Sequence, residues 1–180
     1  THVQSKYPMT PPLFILPFDH RTSFANDILE ATYPVSPTQK KKLVELKNVV
    51  FDALLYAKKH YQGNGVIATI LDEEFGTTII KNAKKHTVPF ALTMETPDHE
   101  SFGLINGAHF GKRLTRLKPT FAKALVYYEV GNEKKNKPAR AKLKKLSAFC
   151  EKNGFDFMLE VLIQNTGPRA KWAAKIIDEI

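Results

Sequence analysis

Five apolar segments of the chain each carry an ionisable residue in their C-terminal half. The most informative residue is Lys123, in the middle of the run Phe-Ala-Lys-Ala-Leu-Val, where we expect its side chain to be buried. A buried lysine is costly unless an anion pairs with it, and such lysines serve acid/base or Schiff-base chemistry. Glu160, between Leu159 and Val161, is similarly costly. A purely structural salt bridge between Lys123 and a carboxylate is the alternative.

A second carboxylate, Asp19, closes the first apolar segment. Because side chains alternate along a strand, Asp19 shares a face with the odd-numbered apolar residues of its segment, and Glu160 shares a face with Met158 and Leu162. If these faces point inward, Asp19, Lys123 and Glu160 meet and compensate one another's charge. A carboxylate–lysine–carboxylate cluster is suited to carbanion and imine chemistry.

Other residues are candidates for binding rather than for catalysis. Arg21 and His20 can bind phosphate, and the guanidinium group of Arg21 suits bidentate binding of its oxygens. N-capping or surface pairing is the alternative for both residues. We assign Arg21, Glu95 and Tyr127 to substrate or phosphate binding. The acidic run at 72–74 could ligate a divalent metal. This is only a minor alternative, because the side chains of consecutive strand residues point to opposite faces. We predict no metal site.

The segments that must position these residues alternate between strands and helices. We predict strands over Leu13–Asp19, Val66–Asp72, Val88–Glu95, Phe121–Tyr128 and Phe155–Ile163. We predict helices from an N-cap at Thr38 through Leu43, Leu46, Val50, Leu54 and Ala57, over Thr78–Lys85, Ile105–Leu117 and Pro138–Lys152, and from Pro168 onward. Nearly continuous apolarity is typical of parallel strands that are covered on both faces. The order predicts an α/β fold with right-handed crossovers.

Two α/β architectures compete for this pattern. An open doubly wound sheet binds its ligand mainly where the strand order reverses, whereas a barrel gathers catalytic groups from many strand ends at one mouth. Ionisable residues in all five strands favour the barrel, and no glycine-rich phosphate-binding motif follows the first strand. We predict a (β/α)8 TIM barrel, of which the chain holds about the first five βα units. Residues 1–12 would form an N-terminal extension and residues 13–180 the partial barrel.

The composition excludes several classes of protein. The chain has 180 residues, of which 43% are hydrophobic and 25% charged, as in ordinary globular domains. Its single cysteine, Cys150, allows no internal disulfide, and no apolar run approaches the ~18 residues that span a bilayer. We expect a soluble, cytoplasmic protein. The net charge of +9 comes from lysines spread over several segments, and we interpret them as solvated helix faces rather than a nucleic-acid site.

An ordered set of segments resembles a known family. The set comprises Leu13–Phe24, Glu45–Lys47, Leu71–Gly76, Met94-Glu95, Lys123–Tyr128 and Leu159-Glu160. It resembles the class I aldolase-like domain that is fused to the sugar kinase of bacterial inositol catabolism. That domain, formerly one of unknown function (DUF2090-like), is related to the tagatose-bisphosphate aldolases. The resemblance extends over nearly the whole chain.

The resemblance implies a (β/α)8 barrel that works through a Schiff base, without a metal or organic cofactor. Asp19 matches the strand-one carboxylate that assists carbon–carbon cleavage. Lys123 matches the strand-four lysine that supports proton transfer and charge balance. Glu160 matches the strand-five residue that acts as acid and base in carbinolamine formation and dehydration. The implied substrate is a phosphorylated keto sugar or sugar acid. The leading candidate is 5-dehydro-2-deoxyphosphogluconate, cleaved to dihydroxyacetone phosphate and malonate semialdehyde.

The sequence departs from the family in one respect. The imine-forming lysine of the family lies on strand six, and the last segment of this chain reads as the fifth helix. We therefore interpret the chain as a fragment, inactive alone, of a barrel of about 250 residues or more. The alternative is a non-catalytic module that binds a phosphosugar or a kinase on an aldolase scaffold. The expected partners are a phosphorylated sugar and a fused or associated sugar kinase domain, with self-association left open and with no nucleic acid or membrane.

Overall fold

A computed structural model describes residues 11–97 and 100–164 of the chain. Its strands are β1 (Leu13–Pro17), β2 (Val66–Leu71), β3 (Phe90–Thr93), β4 (Phe121–Glu129) and β5 (Asp156–Gln164). Its helices are α1 (Thr22–Leu29), α2 (Pro37–His60), α3 (Thr77–Lys85), α4 (Phe110–Leu117) and α5 (Glu133–Asn153), with a 3-10 turn at Gly107–His109. The predicted alternation of strands and helices is therefore confirmed. The predicted helix from Pro168 lies outside the described residues.

The five strands form one sheet in the order β1-β2-β3-β4-β5, which is also their order along the chain. The pairs β1–β2, β3–β4 and β4–β5 are parallel. An open doubly wound sheet contains a point at which strand order reverses, and this sheet has no such point among the described strands. The fold is therefore α/β with a five-stranded parallel sheet, which is consistent with a partial TIM-barrel-like fold.

Two strands, β1 and β3, are shorter than the sequence predicts by two residues or more. β1 ends at Pro17, so Asp19 follows the strand instead of closing it. β3 begins at Phe90 and ends at Thr93, and Glu95 forms an isolated antiparallel bridge with Leu104. In both segments the apolar run is longer than the strand, because the residues beyond a strand are also buried in the loop that leaves it.

The chain divides between Phe90 and Ala91 into two compact units. In the first unit, the N-cap residue of α2 is Ser36 rather than the predicted Thr38. Ser36 accepts a hydrogen bond from the Gln39 backbone nitrogen, and its own backbone nitrogen donates to the Gln39 side chain, which completes a capping box. Pro37 occupies the first helical position. The Ser-Pro-x-Gln sequence therefore sets the start of α2.

The buried stripe of α2 differs from the predicted one. It consists of Leu43, Lys47, Phe51 and Leu54. The predicted stripe shares two of these residues and includes Ala57, which is exposed. The difference arises because the periodicity of apolar residues leaves out a lysine, and the buried stripe contains one.

Helix α1 was not predicted, because the segment after Asp19 carries a weak pattern of apolar residues. Its one buried residue, Ala25, packs in a cluster with Ala31, Leu43 and Phe75. The cluster joins α1 to α2 and to the loop that follows β2. The candidate residues of the first unit lie in this loop and in the segment between β1 and α1.

In the second unit, α5 begins at Glu133 instead of Pro138. The side chain of Asn132 caps it by accepting from the Lys135 backbone nitrogen at 3.1 Å. The helix ends where the sequence predicts, since Gly154 adopts a left-handed conformation with φ of 70°. Among the described residues, none of the helices has the length and apolarity needed to cross a bilayer.

Cys150 is buried on α5 and has no disulfide partner. Burial raises the pKa of its thiol to about 11, so roughly one thiol in a thousand is ionised at pH 8. We expect iodoacetamide at pH 8 to alkylate Cys150 far more slowly in the native protein than in denaturant, as followed by intact mass. Equal rates in the two states would contradict the buried position of this thiol.

Candidate active site

Lys123 lies in the middle of β4 and is buried, with 2% of its surface exposed. Its Nζ is 3.0 Å from Oε2 of Glu160 on β5 and 3.6 Å from Oε1 of Glu95, which follows β3. Two carboxylates thus share one ammonium group, which is the compensation that a buried lysine requires. The structure brings together Lys123, Glu160 and Glu95, three of the residues singled out from the sequence.

Strand register explains why Lys123 and Glu160 meet. Leu125 on β4 is paired with Glu160 on β5 in the parallel ladder. Because alternate residues of a strand share a face, Lys123, Leu125 and Tyr127 lie on the same face as Glu160. The Glu160 side chain reaches Lys123 diagonally, across two positions of the ladder. Tyr127 is partly buried on this face, and its assignment to substrate binding stays a prediction.

Glu95 is held in the cluster by the backbone as well as by Lys123. Its Oε2 accepts a hydrogen bond from the Leu125 backbone nitrogen at 3.2 Å. Beside it, the Met94 backbone nitrogen donates to the Lys123 carbonyl at 2.8 Å, which extends the β3–β4 ladder by one residue. Glu95 is therefore fixed by both the backbone and the ammonium group of β4. In the described contacts Glu95 is a partner of the lysine, and its predicted role in binding substrate remains a prediction.

The two carboxylates of the cluster differ in their exposure. The Glu160 side chain is 47% exposed, whereas the Glu95 side chain is 9% exposed. Glu160 is therefore within reach of solvent or of a bound molecule, whereas Glu95 is a buried carboxylate that the protein holds in place. With one cation and two anions the cluster has a formal charge of −1. The arrangement thus places a solvent-accessible carboxyl group beside a buried ammonium group, which is a pairing that acid/base sites use.

Arg113 is a second buried cation of this unit, and the sequence interpretation missed it. It lies on α4, with its Nη1 donating to the Thr93 carbonyl at the end of β3 at 3.3 Å. The signal was its position on the buried stripe of α4, beside Phe110, Leu114 and Leu117. Arg113 supports the strand end from which Glu95 follows.

Asp19 and Arg21 belong to the first unit. Asp19 follows β1 and is partly buried, and Arg21 is the partly buried N-cap residue of α1. His20, between them, is exposed. The expectation that Asp19 meets Lys123 and Glu160 stays a prediction, as does the phosphate-binding role of Arg21.

Lys47 was not among the predicted site residues, although it is one of the most buried charged groups of the chain. From α2 its Nζ forms an ion pair with Oδ2 of Asp72 and donates to the Phe18 carbonyl at 3.0 Å. Three phenyl rings surround the ammonium group, at 4.9 Å for Phe18, 5.5 Å for Phe24 and 5.7 Å for Phe75. Its position on the stripe, four residues from Leu43 and from Phe51, was the available signal.

The acidic run at 72–74 is divided between separate partners. Asp72 binds Lys47, and Glu74 accepts a hydrogen bond of 2.5 Å from the Tyr33 hydroxyl. Burial, followed by the hydrogen bond to Glu74, raises the pKa of Tyr33 above its usual value. Across residues 11–97 and 100–164, no group of three or more His, Cys, Asp or Glu side chains could hold a metal ion.

The fold and this cluster define an α/β protein whose parallel sheet holds a buried lysine between two carboxylates. The chain matches the family described as "Uncharacterized protein conserved in bacteria (DUF2090)" over residues 2–179, and it belongs to that family. No curated protein matches the chain. The DUF2090-like part of the resemblance is therefore confirmed, and its aldolase part stays a prediction.

Proposed function

We propose that the chain supplies acid/base groups of a class I, Schiff-base aldolase that cleaves a phosphorylated keto sugar or sugar acid. The observation that carries the proposal is the position of Lys123, whose buried Nζ lies between Glu160 and Glu95. We propose also that β1–β5 are the first five strands of a (β/α)8 barrel. Identical strand order in the sheet and in the chain supports this architecture.

Aldol cleavage through a Schiff base moves protons at each step. A lysine amine attacks the substrate ketone, and the carbinolamine loses its oxygen as water, which requires a proton donor. The carbon–carbon bond then breaks as a base takes the proton of the neighbouring hydroxyl and the electron pair passes to the iminium nitrogen. The enamine is protonated at carbon, and water releases the ketone product. Glu160, half-exposed and next to a cation, fits the acid/base role in dehydration.

Lys123 fits a supporting role better than that of the imine former. An amine that attacks a carbonyl must be neutral and accessible, whereas Nζ of Lys123 is buried and contacts two carboxylates. In the aldolases that the chain resembles, the imine-forming lysine lies on a sixth strand. Lys123 then balances the charge of Glu160 as that group gives and takes a proton.

The remaining roles rest on the resemblance. Asp19 would take the hydroxyl proton during carbon–carbon cleavage, and Arg21 would bind the substrate phosphate. The leading substrate candidate is 5-dehydro-2-deoxyphosphogluconate, with dihydroxyacetone phosphate and malonate semialdehyde as products. No metal or organic cofactor takes part in these steps.

Borohydride reduction of the full-length protein with this substrate tests the proposal. We expect intact mass to show a covalent adduct, and peptide mapping to find it on a lysine other than Lys123. Glu160→Gln should slow adduct formation by about 100-fold or more, because the proton donor of dehydration is lost. Glu129→Gln is the matched control, since Glu129 ends β4 and pairs with Lys135 outside the cluster.

Two outcomes would overturn the aldolase assignment. Cleavage that a chelator abolishes, without a trapped adduct, would indicate metal-dependent chemistry. Saturable binding of the phosphosugar with neither cleavage nor adduct would favour the non-catalytic module.

A further inference from the structure

Lys47 has no part in the proposed chemistry, although it is buried and makes several polar and aromatic contacts. Its ammonium group is fully buried on α2, where it pairs with Asp72 and contacts three phenyl rings. Replacing a buried ion pair by apolar residues is often neutral for stability, so the pair alone is a weak explanation for a lysine at this position. The contact that distinguishes Lys47 is its hydrogen bond of 3.0 Å to the Phe18 carbonyl.

The Phe18 carbonyl belongs to the peptide group that joins Phe18 to Asp19. On the other side of Phe18, its backbone nitrogen donates to the Ile70 carbonyl at 3.1 Å, which extends the β1–β2 ladder past the end of β1. Both polar backbone atoms of Phe18 are therefore held, one by β2 and one by Lys47. The peptide plane from which Asp19 continues is fixed by these two bonds.

The Lys47 ammonium group is itself held from several directions. It forms an ion pair with Oδ2 of Asp72. Oδ1 of the same carboxylate accepts a hydrogen bond from the Phe75 backbone nitrogen at 2.7 Å. Asp72 follows β2, so the ion pair links α2 to the carboxyl ends of β1 and β2. The carboxylate and the aromatic rings restrict the position of the ammonium group. The ammonium group therefore restricts the orientation of the carbonyl that it binds more than a water molecule would.

We propose that Lys47 is a positioning residue for Asp19. It fixes the peptide group that precedes Asp19 and thereby sets the direction from which the carboxylate approaches substrate. The catalytic consequence rests on the proposed function, whereas the order imposed on Asp19 can be measured without a substrate.

The test uses the double variant Lys47→Met, Asp72→Asn in the full-length protein. Methionine retains most of the stem volume of lysine, and asparagine retains the oxygen that accepts from Phe75, so no buried charge is left unpaired. We expect the 15N order parameter of the Asp19 amide to fall from about 0.85 towards 0.6. We expect kcat to fall by about 10- to 100-fold with KM changed by less than about twofold, because a misplaced group reacts slowly without weakening binding.

Thr69→Val is the matched control. The buried Thr69 hydroxyl donates to the Leu16 carbonyl of β1 at 2.9 Å, two residues before Phe18. Valine has nearly the same shape, so this variant removes one buried bond to β1 without touching the Phe18–Asp19 peptide. It should retain both the order of Asp19 and kcat.

The outcomes separate this inference from the proposed function. An unchanged Asp19 order parameter in the double variant, or an equal loss in Thr69→Val, overturns the positioning role whatever the activity. Loss of order with unchanged kcat overturns the catalytic consequence. If the parent protein shows no aldol cleavage but Asp19 loses order only in the double variant, the positioning role stands and the proposed function fails.

Discussion

If the proposed aldolase function is correct, replacing Lys123 by methionine should lower kcat of the full-length protein by about 10²- to 10⁴-fold, the range of a lost acid/base system. Methionine fills the volume of the lysine stem, but Glu95 and Glu160 both lose the cation that they share. Two neighbouring carboxylates do not both remain ionised at low cost, so one of them takes up a proton. The cluster loses the charged state from which Glu160 would act.

The Lys123→Met protein should remain folded. Glu160 is half-exposed and can turn towards water, and Glu95 retains its hydrogen bond from the Leu125 backbone nitrogen. We expect a loss of about 1–3 kcal/mol in the free energy of unfolding, the cost of one poorly satisfied buried group. Lys135→Met, which removes a partly exposed lysine of α5, is the control for the substitution itself. Circular dichroism and steady-state kinetics give the two readouts, and a variant with parental kcat would show that β4 is not part of the active site.

The contact between Lys123 and Glu160 could be predicted from the sequence because the side chains of a strand alternate between its two faces. A charged residue inside a continuous apolar run is conspicuous, and alternation assigns it to a face without knowledge of its neighbours. Only the pairing of β4 with β5 was needed to bring Glu160 to it, and consecutive strands of an α/β sheet usually pair. Strand alternation could not predict the contact of Glu95 with Lys123. Glu95 lies beyond the end of β3, in a loop whose path the sequence does not specify.

Lys47 and Arg113 show where the same reasoning fails. Both are long cations on helices, and a lysine or arginine on a helix is usually solvated or covers apolar surface with its stem alone. The apolar residues of α2 already follow a helical spacing without Lys47, so the predicted stripe does not include this lysine. Its carboxylate partner is 25 residues away, after the next strand, and neither helical nor strand periodicity relates the two. A buried cation on a helix becomes evident only when the carboxyl ends of the strands are in place.

The contrast between Lys123 and Lys47 predicts a large difference in stability. Around Lys123 one carboxylate is half-exposed, whereas Lys47 and Asp72 each have side chains that are only 1% exposed. Lys47→Met leaves the Asp72 carboxylate in a closed apolar environment, next to Phe75 and without a cation. We expect the free energy of unfolding to fall by about 3–5 kcal/mol, the cost of removing one member of a buried pair.

Adding Asp72→Asn to Lys47→Met should restore most of that stability. The second substitution removes the unpaired charge and retains the oxygen that accepts from the Phe75 backbone nitrogen, so what remains is the loss of the bond to the Phe18 carbonyl. That single hydrogen bond is worth about 1 kcal/mol. Urea denaturation of the parent and the two variants measures the three values, with equal m-values required for the comparison. If the double variant is as unstable as Lys47→Met, the cost comes from packing around the three phenyl rings, and the account of Lys47 as one half of a charge pair is wrong.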